Sequence, residues 1–95
     1  MIEVYLVYED INDKKRLEEA DNLPPFFVTY YDMLTKEGKS KGYKLKSEFG
    51  ARLNPFVVMY IDGSPVKAFY SEDSDDIIND LIKELNDRET NSIHN

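Results

Sequence analysis

Cysteine is absent from this 95-residue chain, and histidine occurs only once. Without a thiol, the chain cannot form a disulfide scaffold, a thiolate zinc site, a cysteine nucleophile or a dithiol redox centre. A single histidine near the end of the sequence also argues against a histidine-based catalytic triad or a histidine-rich metal site. The sequence therefore predicts no catalytic residue, no metal site and no cofactor.

Long hydrophobic runs are missing as well. No apolar stretch approaches the roughly 18 residues that a membrane span requires, and Met1 leads into a β-favouring segment without the basic region of a signal peptide. We therefore expect a cytoplasmic protein with no membrane partner. The hydrophobic fraction of 41% is sufficient for one packed core. The prediction is a single domain over residues 1–88, followed by a flexible polar tail over residues 89–95.

Positive charge is scarce overall but concentrated in one segment. The chain carries 12 basic and 19 acidic residues, a net charge of −7, which opposes nucleic-acid binding because phosphate is repelled. Residues 36–52 nevertheless hold six bases and only two acids. Four lysines of this segment are predicted to dock an acidic protein surface: Lys39, Lys41, Lys44 and Lys46. The alternative is that these lysines are solvated and offset acids elsewhere on the same domain.

Hydrophobic periodicity predicts an alternation of strands and helices. The predicted elements are a strand over Ile2–Tyr8, a helix over residues 13–21 capped by Asn12 or Asp13, a strand over residues 26–31, a short helix within residues 45–51, a hairpin over residues 56–70 turning at Asp62-Gly63, and a helix over residues 75–86. The segment 26–31 (FFVTYY) also has a helical face, so helix remains an alternative there. Residues 35–42 contain two glycines and four charges, which predicts a loop.

The segment over residues 49–56 (FGARLNPF) resembles the aromatic-Gly-x-Arg-x-x-Pro pattern that precedes the third core strand of thioredoxin-like proteins. The resemblance is close in the second half of the chain and extends to the first half in outline. It implies an α/β fold with a small mixed central sheet, flanking helices, and a C-terminal β-hairpin plus helix. It also implies that Pro55 is cis, and that a loop is inserted near residues 35–43. The family's Cys-x-x-Cys position is occupied here by residues 11–14 (INDK), so its thiol chemistry is excluded.

The same resemblance implies a groove where Pro55 faces the loop that follows the first strand. In the family, the backbone before the proline pairs with an extended substrate segment, a form of strand addition. The residues at the matching positions here are Glu9, Asp10, Asn12, Asn54 and Pro55. The alternative is that Pro55 only ends one segment and shapes the next.

The function predicted from these observations is a redox-inactive protein-interaction module that is not an enzyme and whose partner is another protein. One alternative is a structural or accessory component of a larger assembly such as a phage particle, with a virion-associated location. That alternative rests on small size, acidity, seven tyrosines and a lysine-rich composition typical of AT-rich bacterial or phage genomes. A second alternative is a non-thiol enzyme whose candidate residues are Tyr8, Glu9, Asp10 and Asn12, with Arg52 as an anion clamp, although nothing in the sequence sets a nucleophile beside a base.

Overall fold

Strands and helices alternate through the first half of the chain, and a hairpin and a long helix complete the second half. The computed structural model describes the backbone of residues 1–94 and the side chains of residues 1–88. The elements are β1 (Ile2–Tyr8), α1 (Ile11–Glu18), β2 (Phe26–Asp32), α2 (Lys36–Glu48), β3 (Phe56–Ile61), β4 (Ser64–Tyr70) and α3 (Ile77–His94). The strand interpretation of residues 26–31 is confirmed, since these residues form most of β2.

The four strands form one mixed sheet in the order β2-β1-β3-β4. Strand β1 runs parallel to β2, pairing Ile2 with Phe26, and antiparallel to β3, pairing Val7 with Phe56. Strands β3 and β4 are antiparallel. The C-terminal end of β1 therefore lies beside the start of β3, at one end of the two central strands. The predicted mixed α/β architecture, with helices flanking a small sheet, is confirmed.

Hydrophobic side chains form a core on each face of the sheet, because residues alternate between faces along each strand. On one face, even-numbered β1 residues such as Leu6 pack with Leu17 of α1 and with Ile78, Leu81 and Leu85 of α3. On the other face, a smaller cluster lies beneath α2 and consists of Val7, Met33, Phe56 and Val58. The sheet is thus covered by helices on both sides, as apolar faces require.

The hairpin that joins β3 to β4 turns where the sequence predicts it. Asp62 and Gly63 have positive φ angles of 51° and 84°, which a two-residue turn of this hand requires and which Gly adopts without steric cost. The register shifts between Met59 and Tyr60, so β4 contains a bulge.

The predicted loop over residues 35–43 is wrong, because α2 runs through it from Lys36 to Glu48. Thr35 caps the helix by accepting a hydrogen bond from the Gly38 backbone N–H. The two glycines are buried and lie four residues apart on the face turned toward the sheet. A Cβ on Gly38 would lie 2.1 Å from the Asp32 backbone oxygen, and one on Gly42 would lie 2.6 Å from Met33 Sδ. Their presence reflects close packing against β2 and not a loop.

Two other helix boundaries differ from the predictions. Helix α1 begins at Ile11, with Asp10 as its N-cap, and ends at Glu18 instead of residue 21. Helix α3 begins at Ile77 and continues to His94, beyond the predicted end at residue 86. The predicted flexible tail falls on residues 89–95, whose side chains, together with all of Asn95, lie outside the described part of the chain. Among the described helices, none combines the length and the hydropathy of a membrane span.

Candidate functional site

The residues around Pro55 bring together the end of β1, the end of α2 and the start of β3. The Asn54–Pro55 peptide bond is cis, as the resemblance implies. Pro55 directly precedes β3, whose first residue, Phe56, pairs with Val7 of β1. The Ser71 hydroxyl donates a hydrogen bond to the Pro55 carbonyl oxygen. The proline segment is therefore attached to the sheet from two sides.

The Asn54 side chain forms hydrogen bonds at both ends of its amide group. Its Nδ2 donates to Glu9 Oε1 at 2.8 Å, and its Oδ1 accepts from Lys46 Nζ at 2.9 Å. The same ammonium group also donates to the Arg52 backbone oxygen at 3.3 Å. Because a charged residue holds each end of the amide, the orientation of Asn54 is defined by charge-assisted hydrogen bonds.

Lys46 reaches this position because it continues the buried face of α2. It follows Gly38 and Gly42 at intervals of four residues, which places all three on one side of the helix. Its side chain is only 4% exposed. Burial lowers the pKa of Lys46, while the charges of Glu9 and Glu72 oppose that shift. Lys46 therefore acts inside the domain, as a cation that organises residues 52–54.

A cleft of about 340 Å³ lies beside Pro55 and is bounded by Asp13, Arg16, Ser71 and Asp76. Arg16 and Asp76 form an ion pair of 2.8 Å across it. This hydrogen-bonded pair lowers the pKa of Asp76. Burial raises the pKa of Asp13, and the negative charge of Asp10 adds to the shift. The cleft wall is thus predominantly acidic, with one paired arginine.

The three residues predicted after β1 have different positions. Glu9 contacts the proline segment through Asn54, as the groove interpretation expects. Asp10 is the N-cap of α1 and accepts a hydrogen bond of 2.9 Å from the Asn12 backbone N–H. Asn12 itself is exposed on the first turn of α1. The structure therefore brings Glu9, Asn54 and Pro55 together, whereas Asp10 and Asn12 serve or occupy the start of a helix.

The four predicted docking lysines do not form one surface. Lys46 is buried, so its expected exposure is wrong. Lys41 forms an ion pair of 2.9 Å with Glu37 on its own helix. Lys39 and Lys44 are exposed, but five positions on a helix separate them by about 140° around its axis. Lys41 and Lys44 are three residues apart and line the same cleft, so they share a face that Lys39 does not. Docking by Lys39, Lys41 and Lys44 stays a prediction.

Two apolar side chains near the site were not predicted. Ile11 begins α1 and is 48% exposed, and Leu53, which directly precedes Asn54, is 53% exposed. Each is a single apolar residue between polar neighbours in the sequence. That isolation is the signal that could have identified them, because a lone apolar residue on a polar segment is a candidate contact residue.

Tyr8 and the acidic segment at residues 72–76 make contacts within the domain. Tyr8 is buried and packs edge-on against Tyr30, with ring centroids 6.2 Å apart. Among the described residues, no group of three or more metal-ligating side chains could hold a metal ion. The acidic segment at residues 72–76 instead precedes α3, where Asp76 accepts a hydrogen bond from the Asn79 backbone N–H.

Comparison with known proteins adds no family to this description. The chain matches no protein-family model, no curated protein and no solved structure at a significant level.

Proposed function

We propose that this chain is a thioredoxin-like domain without thiol chemistry that binds an extended segment of another protein beside Pro55. Three features support the fold assignment. They are the strand order β2-β1-β3-β4, the cis bond directly before β3, and the closing hairpin and helix. The absence of cysteine excludes thiol chemistry at this site.

The observation that carries the proposal is the fixed position of Asn54. Its side chain is held by Lys46 at 2.9 Å and by Glu9 at 2.8 Å, so residues next to the cleft are ordered before any partner arrives. Ordering a binding segment in advance lowers the entropic cost of association. A binding role would explain why both ends of the Asn54 side chain are hydrogen-bonded in a domain that contains no redox centre.

The surroundings of Asn54 define the chemistry of the partner. The exposed side chains of Ile11 and Leu53 offer apolar contact near the site. The acidic groups of the cleft, including Asp13 and Asp76, disfavour an acidic segment by charge repulsion. The bound segment is therefore extended, carries at least one apolar side chain, and is neutral or basic.

The test begins with peptides selected from a random display library against the full chain. Binding of a selected peptide is mapped by the amide chemical shifts of the isotopically labelled protein. We expect the largest shifts at residues 9–11 and 52–55. The variant Leu53→Asp should weaken binding at least about tenfold, because it removes an apolar contact and places a carboxylate where the apolar side chain of the peptide would desolvate it.

Val66→Asp provides the matched control. Val66 has a similar exposure of 46% and lies near the turn end of β4, away from Pro55. This variant should bind the selected peptide within about twofold of the original chain. Shifts confined to the α2 lysines or to the β2 edge, or equal losses in the two variants, would contradict a site beside Pro55.

A further inference from the structure

The two edges of the sheet are built differently. At the β4 edge, Pro65 removes a backbone donor, Lys67 adds charge, and the bulge at Met59/Tyr60 interrupts the register. These are devices by which proteins prevent unwanted strand pairing. Strand β2 has neither a proline nor a bulge, and its one charged residue, Asp32, stands at its end: its sequence is FFVTYYD, and its register with β1 is continuous over all seven pairs.

The outer backbone groups of β2 are arranged for pairing with another strand. The Met33 N–H donates to the Tyr8 carbonyl oxygen at 2.8 Å, so the odd-numbered groups of this segment face β1. Backbone direction alternates along a strand. The N–H and C=O groups of the even-numbered residues therefore face outward. At Asp32 the carbonyl oxygen already accepts hydrogen bonds from the Thr35 N–H and hydroxyl, and Gly38 lies against the Asp32 backbone. The open outward groups are therefore those of Phe26, Val28 and Tyr30.

The side chains at this edge leave apolar surface uncovered. Phe27 is 63% exposed, which makes it one of the most exposed large apolar side chains of the domain. Tyr31 lies on the same face of β2 as Thr29 and is only half-buried. The centroid of its ring is 6.1 Å from that of the Tyr5 ring. An aromatic cross-strand neighbour for Phe27 would bury surface that the monomer exposes.

We propose that β2 pairs with β2 of a second copy of this chain, antiparallel and overlapping over residues 27–31, which extends two four-stranded sheets into one. The middle residue of Phe26–Asp32 is Thr29, so the two-fold axis passes beside it. In this register Thr29 faces Thr29 of the second copy, and Phe27 faces Tyr31. Val28 and Tyr30 then exchange backbone hydrogen bonds with Tyr30 and Val28 of the second copy, and the aromatic pair occurs twice by symmetry.

The charge around β2 fits a second copy despite the acidity of the chain. On one face Glu37 and Lys41 form an ion pair and line a small cleft with Thr29 and Tyr31, and Asp32 lines the same cleft. On the other face Lys14 lies 5.0 Å from the centre of the Tyr30 ring, where Glu18 is also close enough to influence the pKa of Tyr30. Asp21 also lines the cleft that Glu18 and Tyr30 border on this second face. Each face thus presents acids together with one base, so a two-fold arrangement can bring opposite charges together.

The size of this contact predicts its strength. A pair of strands that overlap over residues 27–31, with one exposed aromatic on each side, offers less area than the roughly 1,200–2,000 Å² of a stable interface. We therefore expect a reversible dimer that dissociates on dilution, not an obligate one.

Sedimentation of the full chain over a wide concentration range tests the association. The average mass should rise from 11.1 kDa toward twice that value. Thr29→Lys, at an exposed position, should keep the chain folded and monomeric, because two lysines would face each other at the axis. Val66→Lys, at the opposite edge, should dimerise as the original chain does.

Engineered thiols test the register. Facing residues at a non-hydrogen-bonded position have Cα atoms about 4.5 Å apart, which suits a disulfide. Because the chain lacks cysteine, Thr29→Cys introduces a single thiol, and mild oxidation should give a covalent dimer. Phe27→Cys is the control: its thiol is more exposed but should not crosslink, because four residues along a strand separate it by about 13 Å from its symmetry mate.

A chain that stays monomeric at all concentrations overturns the proposal. So does a dimer that Thr29→Lys leaves intact, or equal crosslinking by the two thiol variants. Binding of a strand from a different protein at β2, without self-association, likewise overturns it.

Discussion

Replacing Lys46 with methionine tests whether the buried ammonium holds the segment that leads into β3. Methionine keeps most of the volume of the lysine stem but cannot donate to Asn54 Oδ1 or to the Arg52 carbonyl oxygen. Hydrogen bonds from a charged donor contribute about 1.5–3 kcal/mol each, but the burial that lowers the pKa of Lys46 offsets part of this gain. We expect a loss of about 1–2 kcal/mol in the free energy of unfolding, which corresponds to a decrease in Tm of about 5–15 °C.

The matched control is Lys44→Met, which removes an exposed cation from the same helix. Its unfolding free energy in urea should lie within about 0.5 kcal/mol of the original value. If Lys46→Met is as stable as the original chain, or if both variants lose the same amount, the ammonium does not hold residues 52–54. Amide shifts of Asn54 report directly on whether its position has changed.

The same pair of proteins has a defined pH dependence. Burial lowers the pKa of Lys46 below its unfolded value of about 10.4, so the unfolded chain binds more protons in the interval between the two values. The original chain should therefore gain stability relative to Lys46→Met as the pH rises through that interval. A relative loss in urea titrations at increasing pH would show that the buried amine prefers its charged form.

Three further substitutions have expected outcomes. Gly38→Ala should destabilise the domain by about 1–3 kcal/mol in thermal melts, because the new Cβ would lie 2.1 Å from the Asp32 backbone oxygen. Helix propensity alone favours alanine by about 1 kcal/mol, so a more stable variant would show that α2 is not packed this closely. Burial raises the pKa of Tyr30 to about 12, so the stability that the protonated Tyr30 contributes is complete below pH about 10 and is lost as the pH rises toward 12. Tyr30→Phe should reduce this alkaline loss of stability in pH-dependent unfolding. An unchanged pH profile would assign the loss to other groups. Arg16→Ala should cost less than about 1 kcal/mol because its pair with Asp76 is largely exposed, and a loss that persists at high salt would contradict a screened ion pair.

The strands could be predicted because their signals are local. Apolar runs of β-branched and aromatic residues define β1 and β3, and Asp62-Gly63 supplies the positive φ angles of the turn between β3 and β4. The ambiguous segment 26–31 is a strand because it pairs in parallel with β1, where Val4 lies opposite Val28. Here tertiary pairing decided between two local periodicities.

Helix α2 could not be predicted because it contains two glycines, which usually indicate a loop but here allow the helix to pack closely. Gly38 and Gly42 lower helix propensity, which suggested a loop, yet both are required where the helix approaches β2. Lys46 was misinterpreted for a related reason. A lysine in a basic segment is ordinarily solvated, and only the three-dimensional position of Asn54 supplies a buried partner for it.

The candidate site was predictable in position but not in detail. The proline pattern identified Pro55 and its neighbourhood, including Glu9. The hydrogen bond between Glu9 and Asn54 joins residues 45 positions apart, and no periodicity encodes such a contact. The capping role of Asp10 depends on where α1 starts, a boundary that the sequence placed two residues too late.

The protection of the β4 edge limits how far sheets of this domain can grow. Fibrils form when every added chain presents a fresh edge to the next one, so propagation needs two open sides. With Pro65, Lys67 and the bulge blocking one side, any strand that adds to β2 ends the series. Strand pairing through residues 26–31 thus ends in a complex of limited size and not in a fibril. The chain can therefore keep an open, aromatic edge strand without the aggregation that such edges usually promote.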